Sequence, residues 1–302
     1  MEQTLNMVMF CRQVNISFRV YGFTSVRDYR PDTIRPDNTE DMLLINKDLI
    51  LLELFNNKMS RSDFVRMSEI CLTTGLAYNE RYNIYTRLGS YAIGEGVPRV
   101  LQLGRTPLDA TIVAAISIFK EFKKSNNLDI VNTVFLTDGD SNSMDIQLDG
   151  EKEYYLRTGS GSYKFNIIDR DTKKTYAITE PGYLTNDLLL LLRENTQSNV
   201  IGYRIMPKNK RTGRRSFGYS IGYRDFEALW TKLRKDKFIS IPNSGYSEYF
   251  GISGGADLNT ANTNIEVSSD AKKGAIRTAF KKANTKRKES RVMLAKFISL
   301  VA

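Results

Sequence analysis

Apolar residues recur along this chain with two periods, and their alternation predicts the fold. In "TPLDATIVAAISIFKEFKK" Leu108, Ile112, Ala115, Ile116 and Phe119 fall on one helical face. Thr106 stands where an N-cap hydroxyl would, with Pro107 at the first helical position and Asp109 at the third. Near the start, Leu5, Val8, Met9 and Arg12 share a helical face, and "ISFRVYGF" (16–23) follows with strand alternation. "DIVNTVFLTDG" reads as a buried strand, "YLTNDLLLLLRENT" as a helix and "SNVIGYRIM" as another buried strand. Helices alternating with largely apolar strands predict an α/β fold with a mainly parallel sheet over residues 1–206.

Other stretches interrupt this rhythm. An insertion at about 150–180, including "YYLRTGSGSYKFNIIDRDTKKTYAIT", predicts hairpin strands around the polar turn "DRDTKK". "PKNKRTGRRSFGYSIGY" predicts a second, strongly basic hairpin, with a helix after it to about residue 242. Residues 243–270 are rich in Gly, Ser, Asn and Thr and predict a long flexible loop. A basic helical pattern returns over 271–302, with Ile276, Ala279, Phe280 and Ala283 in its first part and Phe297 and Ile298 in its last.

Composition then narrows the chemistry. The chain of 302 residues contains no histidine, which excludes Ser-His-Asp and Cys-His hydrolases, HExxH metalloproteases and His-ligated zinc. Catalysis by the chain alone is not expected. The longest apolar run, Leu188 to Leu192, is far short of a membrane span, and no signal-peptide pattern opens the sequence. A cytoplasmic protein without membrane contact is expected. Cys11 and Cys71 stand apart in apolar surroundings, the pattern of reduced buried thiols. The net charge of +10 is uneven: 207–237 carries 10 Lys/Arg against 3 Asp/Glu, whereas 1–206 is near balance. Lys208, Lys210, Arg211, Arg214 and Arg215 form a basic contact surface whose partner is a nucleic acid, an acidic protein or only water.

"VFLTDGDSNSMD" (134–145) places carboxylates directly behind an apolar strand. A calcium loop with Asp138, Asp140, Asn142 and Asp149 at positions 1, 3, 5 and 12 is one reading, but Ser143 stands where that loop needs glycine. The other reading uses position. Ligands of open α/β sheets bind beyond the carboxyl ends of the strands, where this loop and "LGRTPL" are both expected. A carboxylate from one and a hydroxyl from the other suit a hard cation.

The "GRTPLDATIVAA" loop and helix, followed by a strand ending in "TDG", resemble the metal-contacting loops of the von Willebrand factor A (VWA) fold. With "FCRQVNISFRVYGFTS" and "RVMLAKFISLVA", the chain is similar to the VWA domain of CobT-type cobaltochelatase subunits, particularly versions encoded by tailed phages of cyanobacteria. The resemblance implies a Rossmann-like VWA fold and a metal ion-dependent adhesion site (MIDAS) for Mg²⁺ or Mn²⁺. It assigns Thr106 and Asp138 as ligands, with Asp140 and Ser141 as supporting groups. It further implies a non-catalytic subunit of an ATP-dependent, chelatase-like complex, working with a CobS- or MoxR-like AAA+ ATPase. The family's Asp-x-Ser-x-Ser loop and first central strand have no counterpart here. An N-terminally truncated domain that folds poorly and binds metal weakly is therefore expected. The alternative function is a basic nucleic-acid-binding or virion-associated protein.

Overall fold

The computed structural model describes residues 2–25, 42–44, 49–88, 101, 105–142, 144–148, 152–156, 165–169, 172–178, 184–221, 223–241 and 245–253. In chain order, α1 (Glu2–Gln13) leads to strands β1 (Arg19–Ser25), β2 (Met42–Leu44) and β3 (Leu49–Asn56), and α2 (Arg61–Leu88) follows. Next come α3 (Leu108–Ser125), β4 (Asn132–Thr137) and four short strands, β5 (Met144–Leu148), β6 (Lys152–Leu156), β7 (Phe165–Ile168) and β8 (Thr175–Ile178). After these lie α4 (Leu184–Thr196), β9 (Asn199–Met206), α5 (Lys210–Ile221), α6 (Tyr223–Asp236), β10 (Phe238–Ser240) and β11 (Glu248–Ser253).

These elements form two compact units. In the first, α1 and α2 pack with residues 19–22 of β1 and 52–56 of β3 around Leu5, Val8, Phe10, Cys11, Leu54, Phe55 and Cys71. Leu5 and Val8 point inward as their spacing predicts, but Met9 is 59% exposed. The buried face of α1 is rotated toward Phe10 and Cys11, which leaves Met9 at its rim. Arg12 stays outside the core, its guanidinium 4.4 Å above the Phe64 ring. Both cysteines are buried free thiols, and burial pushes Cys11 up to about 12.

The second unit is built on a four-stranded sheet ordered β10-β11-β9-β4. β4, β9 and β11 run parallel and β10 pairs antiparallel with β11, so the sheet is mostly parallel, flanked by helices. This is the mixed α/β class that the alternating pattern predicts. Among the described residues, β4 is an edge strand of this sheet. The predicted α3 stripe is inward: Leu108, Ile112 and Phe119 are buried, and Ala115 and Ile116 pack on the same core. Leu188, Leu189, Leu191 and Leu192 of α4 join Phe135 and Val200 there, while Leu190 takes the outward turn. A second cluster sets Phe226, Trp230 and Leu233 of α6 against Met206, Ile239 and Ile241.

Two predictions from the pattern are corrected. Residues 210–221 form the helix α5 where a basic hairpin was predicted. The local signals favour a helix. Asn209 caps it, its Oδ1 accepting from the Arg211 N–H at 2.8 Å, and lysine and arginine are good helix formers. Gly213 then lets α5 lie against α6, because a Cβ there would be 2.9 Å from Cη2 of Trp230. The second correction is β11, a strand inside the stretch predicted as flexible loop. Its order comes from parallel pairing with β9, Glu248 opposite Ile201 through Ser253 opposite Met206, a partner that local composition cannot reveal.

The hairpin around "DRDTKK" is present as β7 and β8, with the Lys173 N–H bonded to the Asp169 carbonyl and Lys173 at φ 60°. β5 and β6 form a separate antiparallel hairpin to which β2 adds a third strand. Asp145, the last acid of "VFLTDGDSNSMD", is therefore a strand residue opposite Tyr155. "RTGSGSYK" (157–164), most of the predicted loop, and the helical pattern of 271–302 lie outside the described residues.

Candidate functional site

The carboxyl ends of β4 and β9 meet the first turns of α3 and α4. Loop 138–142 leaves β4 and is held to the segment before α3 by a reciprocal pair of bonds. The Thr106 N–H donates to Asn142 Oδ1 at 2.6 Å, and the Asn142 N–H donates to the Thr106 carbonyl at 2.8 Å. The Thr106 hydroxyl rests on the loop itself: a Cβ built on Gly139 would lie 2.9 Å from Thr106 Oγ1. The structure thus brings Thr106 beside the loop that begins at Asp138, whose side chain is exposed.

Thr106 does not cap α3. Pro107 occupies the N-cap position and makes no side-chain cap bond. The cap comes from across the site, where Ser141 Oγ accepts from the Asp109 N–H at 2.8 Å. The capping-box reading failed because a sequence neighbour was assumed to satisfy a donor that a residue 32 positions away satisfies. Ser141→Ala should cost about 1 kcal/mol of stability, measurable as a shift in the urea midpoint with unchanged slope.

Asp109 is only 1% exposed. Burial raises its carboxyl from 3.8 to about 6, although hydrogen bonds from Thr185 and Ser141 favour the ionised form. Thr185, in the first turn of α4, donates its hydroxyl to Asp109 Oδ1 at 2.6 Å. One carboxyl group thereby ties α3 to α4. Sequence reading took Asp109 for a capping residue; the signal available was an acid between Leu108, Ala110 and Ile112 on a core-packed helix.

Arg204 was also missed. It lies opposite Thr137 in the β4–β9 register, and its side chain is 5% exposed. A buried guanidinium is costly unless paired, and this one forms an ion pair with Asp140 and a hydrogen bond with Tyr249. Tyr249 stacks on Tyr246 at 4.8 Å, and Tyr246 meets Phe135 edge-on. Burial raises both tyrosine hydroxyls, so they remain protonated at any ordinary pH. Asp140 and Ser141, predicted as supporting groups, are thus bound to Arg204 and α3. The basic residues Lys210, Arg211, Arg214 and Arg215 belong to the start of α5, with Lys208 in the segment between β9 and α5.

Hydroxyl and carboxylate oxygens from Thr106 and Asp138 are the hard ligands a divalent cation of the Mg²⁺ type accepts. Among the described residues no group of three or more His, Cys, Asp or Glu side chains is placed to hold a metal ion. No described helix is long and apolar enough to cross a membrane. No protein-family model, curated protein or solved structure matches the chain.

Proposed function

We propose that this chain is a non-catalytic interaction subunit of the VWA type, Rossmann-like in fold and similar to CobT, that binds a CobS- or MoxR-like AAA+ ATPase through a divalent cation. The observation that carries the reading is Thr106 Oγ1 lying against the loop that opens with Asp138 at the carboxyl end of a parallel strand. Two oxygen side chains are few, yet they suit an ion that keeps much of its water and takes only one or two carboxylates. Thr106 and Asp138 would hold Mg²⁺ or Mn²⁺, and a carboxylate from the partner would complete the shell. The ion would supply an electrostatic link between the proteins. Asp140 and Ser141 contribute by fixing the loop, since their side chains bond to Arg204 and α3.

The test is capture of the AAA+ ATPase by immobilised chain, with and without EDTA. Capture should require Mg²⁺ or Mn²⁺ and fall at least tenfold in Asp138→Ala and Thr106→Ala, while the variants keep the wild-type circular dichroism spectrum. Capture that is indifferent to EDTA would overturn the proposal.

A further inference from the structure

The start of α5 presents cations in a regular array. Lys210, Arg211, Arg214 and Arg215 occupy positions i, i+1, i+4 and i+5, two adjacent rows one turn apart, and all four are exposed. Lys208 extends the array from the preceding segment and is exposed as well. The helix itself carries no acidic residue. Its orientation is set by packing: Gly213, on another side of the helix, lies against the Trp230 ring. Asn209 holds the first turn, with the Gly213 N–H bonded to its carbonyl at 2.9 Å and the Arg211 N–H to its side chain. Lys210 is anchored by an ion pair with Glu227 at 2.6 Å, which fixes one end of the array to α6.

We infer that this face of α5 binds the phosphate backbone of duplex DNA, independently of base sequence and of divalent cations. Charge complementarity favours a polyanion, and the character of the face distinguishes among polyanions. Protein interfaces are anchored by desolvated aromatic or aliphatic side chains, and single strands are held by aromatic rings that stack on bases. Between residues 208 and 215 the exposed side chains are Lys208, Asn209, Lys210, Arg211, Thr212, Arg214 and Arg215, none of them apolar. The side chains of these eight positions can neutralise and hydrogen-bond phosphates.

The test is fluorescence anisotropy of a labelled 30-base-pair duplex of arbitrary sequence, titrated with the whole protein between 50 and 200 mM salt. With about four phosphates neutralised, log K should fall against log[salt] with a slope of about −4. The triple variant Arg211→Gln, Arg214→Gln, Arg215→Gln should bind at least tenfold more weakly and reduce the slope magnitude by about 3. The double variant Lys123→Gln, Lys124→Gln removes cations from the last turn of α3 and should bind like wild type. EDTA should change nothing, which separates this surface from the cation-dependent site. The inference is overturned if 50 mM salt gives no binding, if both variants lose affinity equally, or if single-stranded DNA or an acidic protein binds the face in preference to duplex. A folding defect in the triple variant would show as a lowered melting temperature. The single variant Arg211→Glu would then be compared, with a fivefold or greater loss expected and wild-type affinity contradicting the inference.

Discussion

Asp109→Asn should make the protein more stable at neutral pH, although it removes a carboxylate that makes good hydrogen bonds. The folded-state value of about 6 lies above the ordinary 3.8, so between those values the folded protein binds more protons than the unfolded chain. Stability contributed by this group therefore declines as pH rises through that interval. The cost of ionising it in place is fully present above about pH 6 and absent below about pH 4. A shift near two units corresponds to about 3 kcal/mol at most, since each unit is worth 1.36 kcal/mol. Asparagine retains an oxygen for the Thr185 hydroxyl and carries no charge, so a gain of about 1–3 kcal/mol is expected at pH 7.5 and almost none at pH 4. Urea denaturation of both proteins at the two pH values measures it. Burial raises Asp187 as well, so the difference between variant and wild type is the quantity to read. Identical pH slopes in the two proteins would show that Asp109 does not ionise at a cost.

The opposite result is expected of Gly245→Ala. Gly245 sits at φ 73°, a conformation that costs an L-residue roughly 1–2 kcal/mol. Its missing Cβ would also lie 2.6 Å from the Asn186 carbonyl oxygen and 2.8 Å from the Asn186 Cα. Those are backbone atoms of α4, which cannot rotate aside as a side chain can. Overpacking of this kind costs about 1–3 kcal/mol, so a total loss of roughly 2–5 kcal/mol is expected. The damage should spread, because the Gly245 carbonyl accepts from Arg193 and the next residue, Tyr246, packs on Phe135. Thermal unfolding of the variant should move down by several degrees, and an unchanged transition would mean that α4 yields at this point.

These residues mark where the sequence speaks and where it does not. The α3 stripe, β4, α4 and β9 were legible because each buries a periodic set of apolar side chains, and burial is what the pattern records. β11 was not, since its order depends on a strand more than 40 residues upstream and its surroundings are rich in Gly and Ser. α5 was misread because its contact with Trp230 exists only once α6 has packed against it. Within the site, Thr106 and the Asp138 loop could be paired from their positions before a helix start and after a strand end. Ser141 as the cap, Asp109 as the tie to Thr185, and Arg204 as the partner of Asp140 required the chain to be folded. Each joins residues 32 to 76 positions apart, beyond the reach of a local motif.

The two-way clasp between Thr106 and Asn142 has a thermodynamic consequence. Restricting one backbone residue to a single conformation costs about 1–2 kcal/mol, and a five-residue loop ordered only on binding would forfeit several times that. Here loop 138–142 is already fixed by Asn142 from both sides, by Ser141 at the helix start and by Asp140 on Arg204. Whatever docks against Asp138 meets a surface whose disorder was removed during folding, so the cost of ordering this loop is not added to the cost of association. Loosening the clasp, with Asp138 untouched, would return that ordering cost to the binding step.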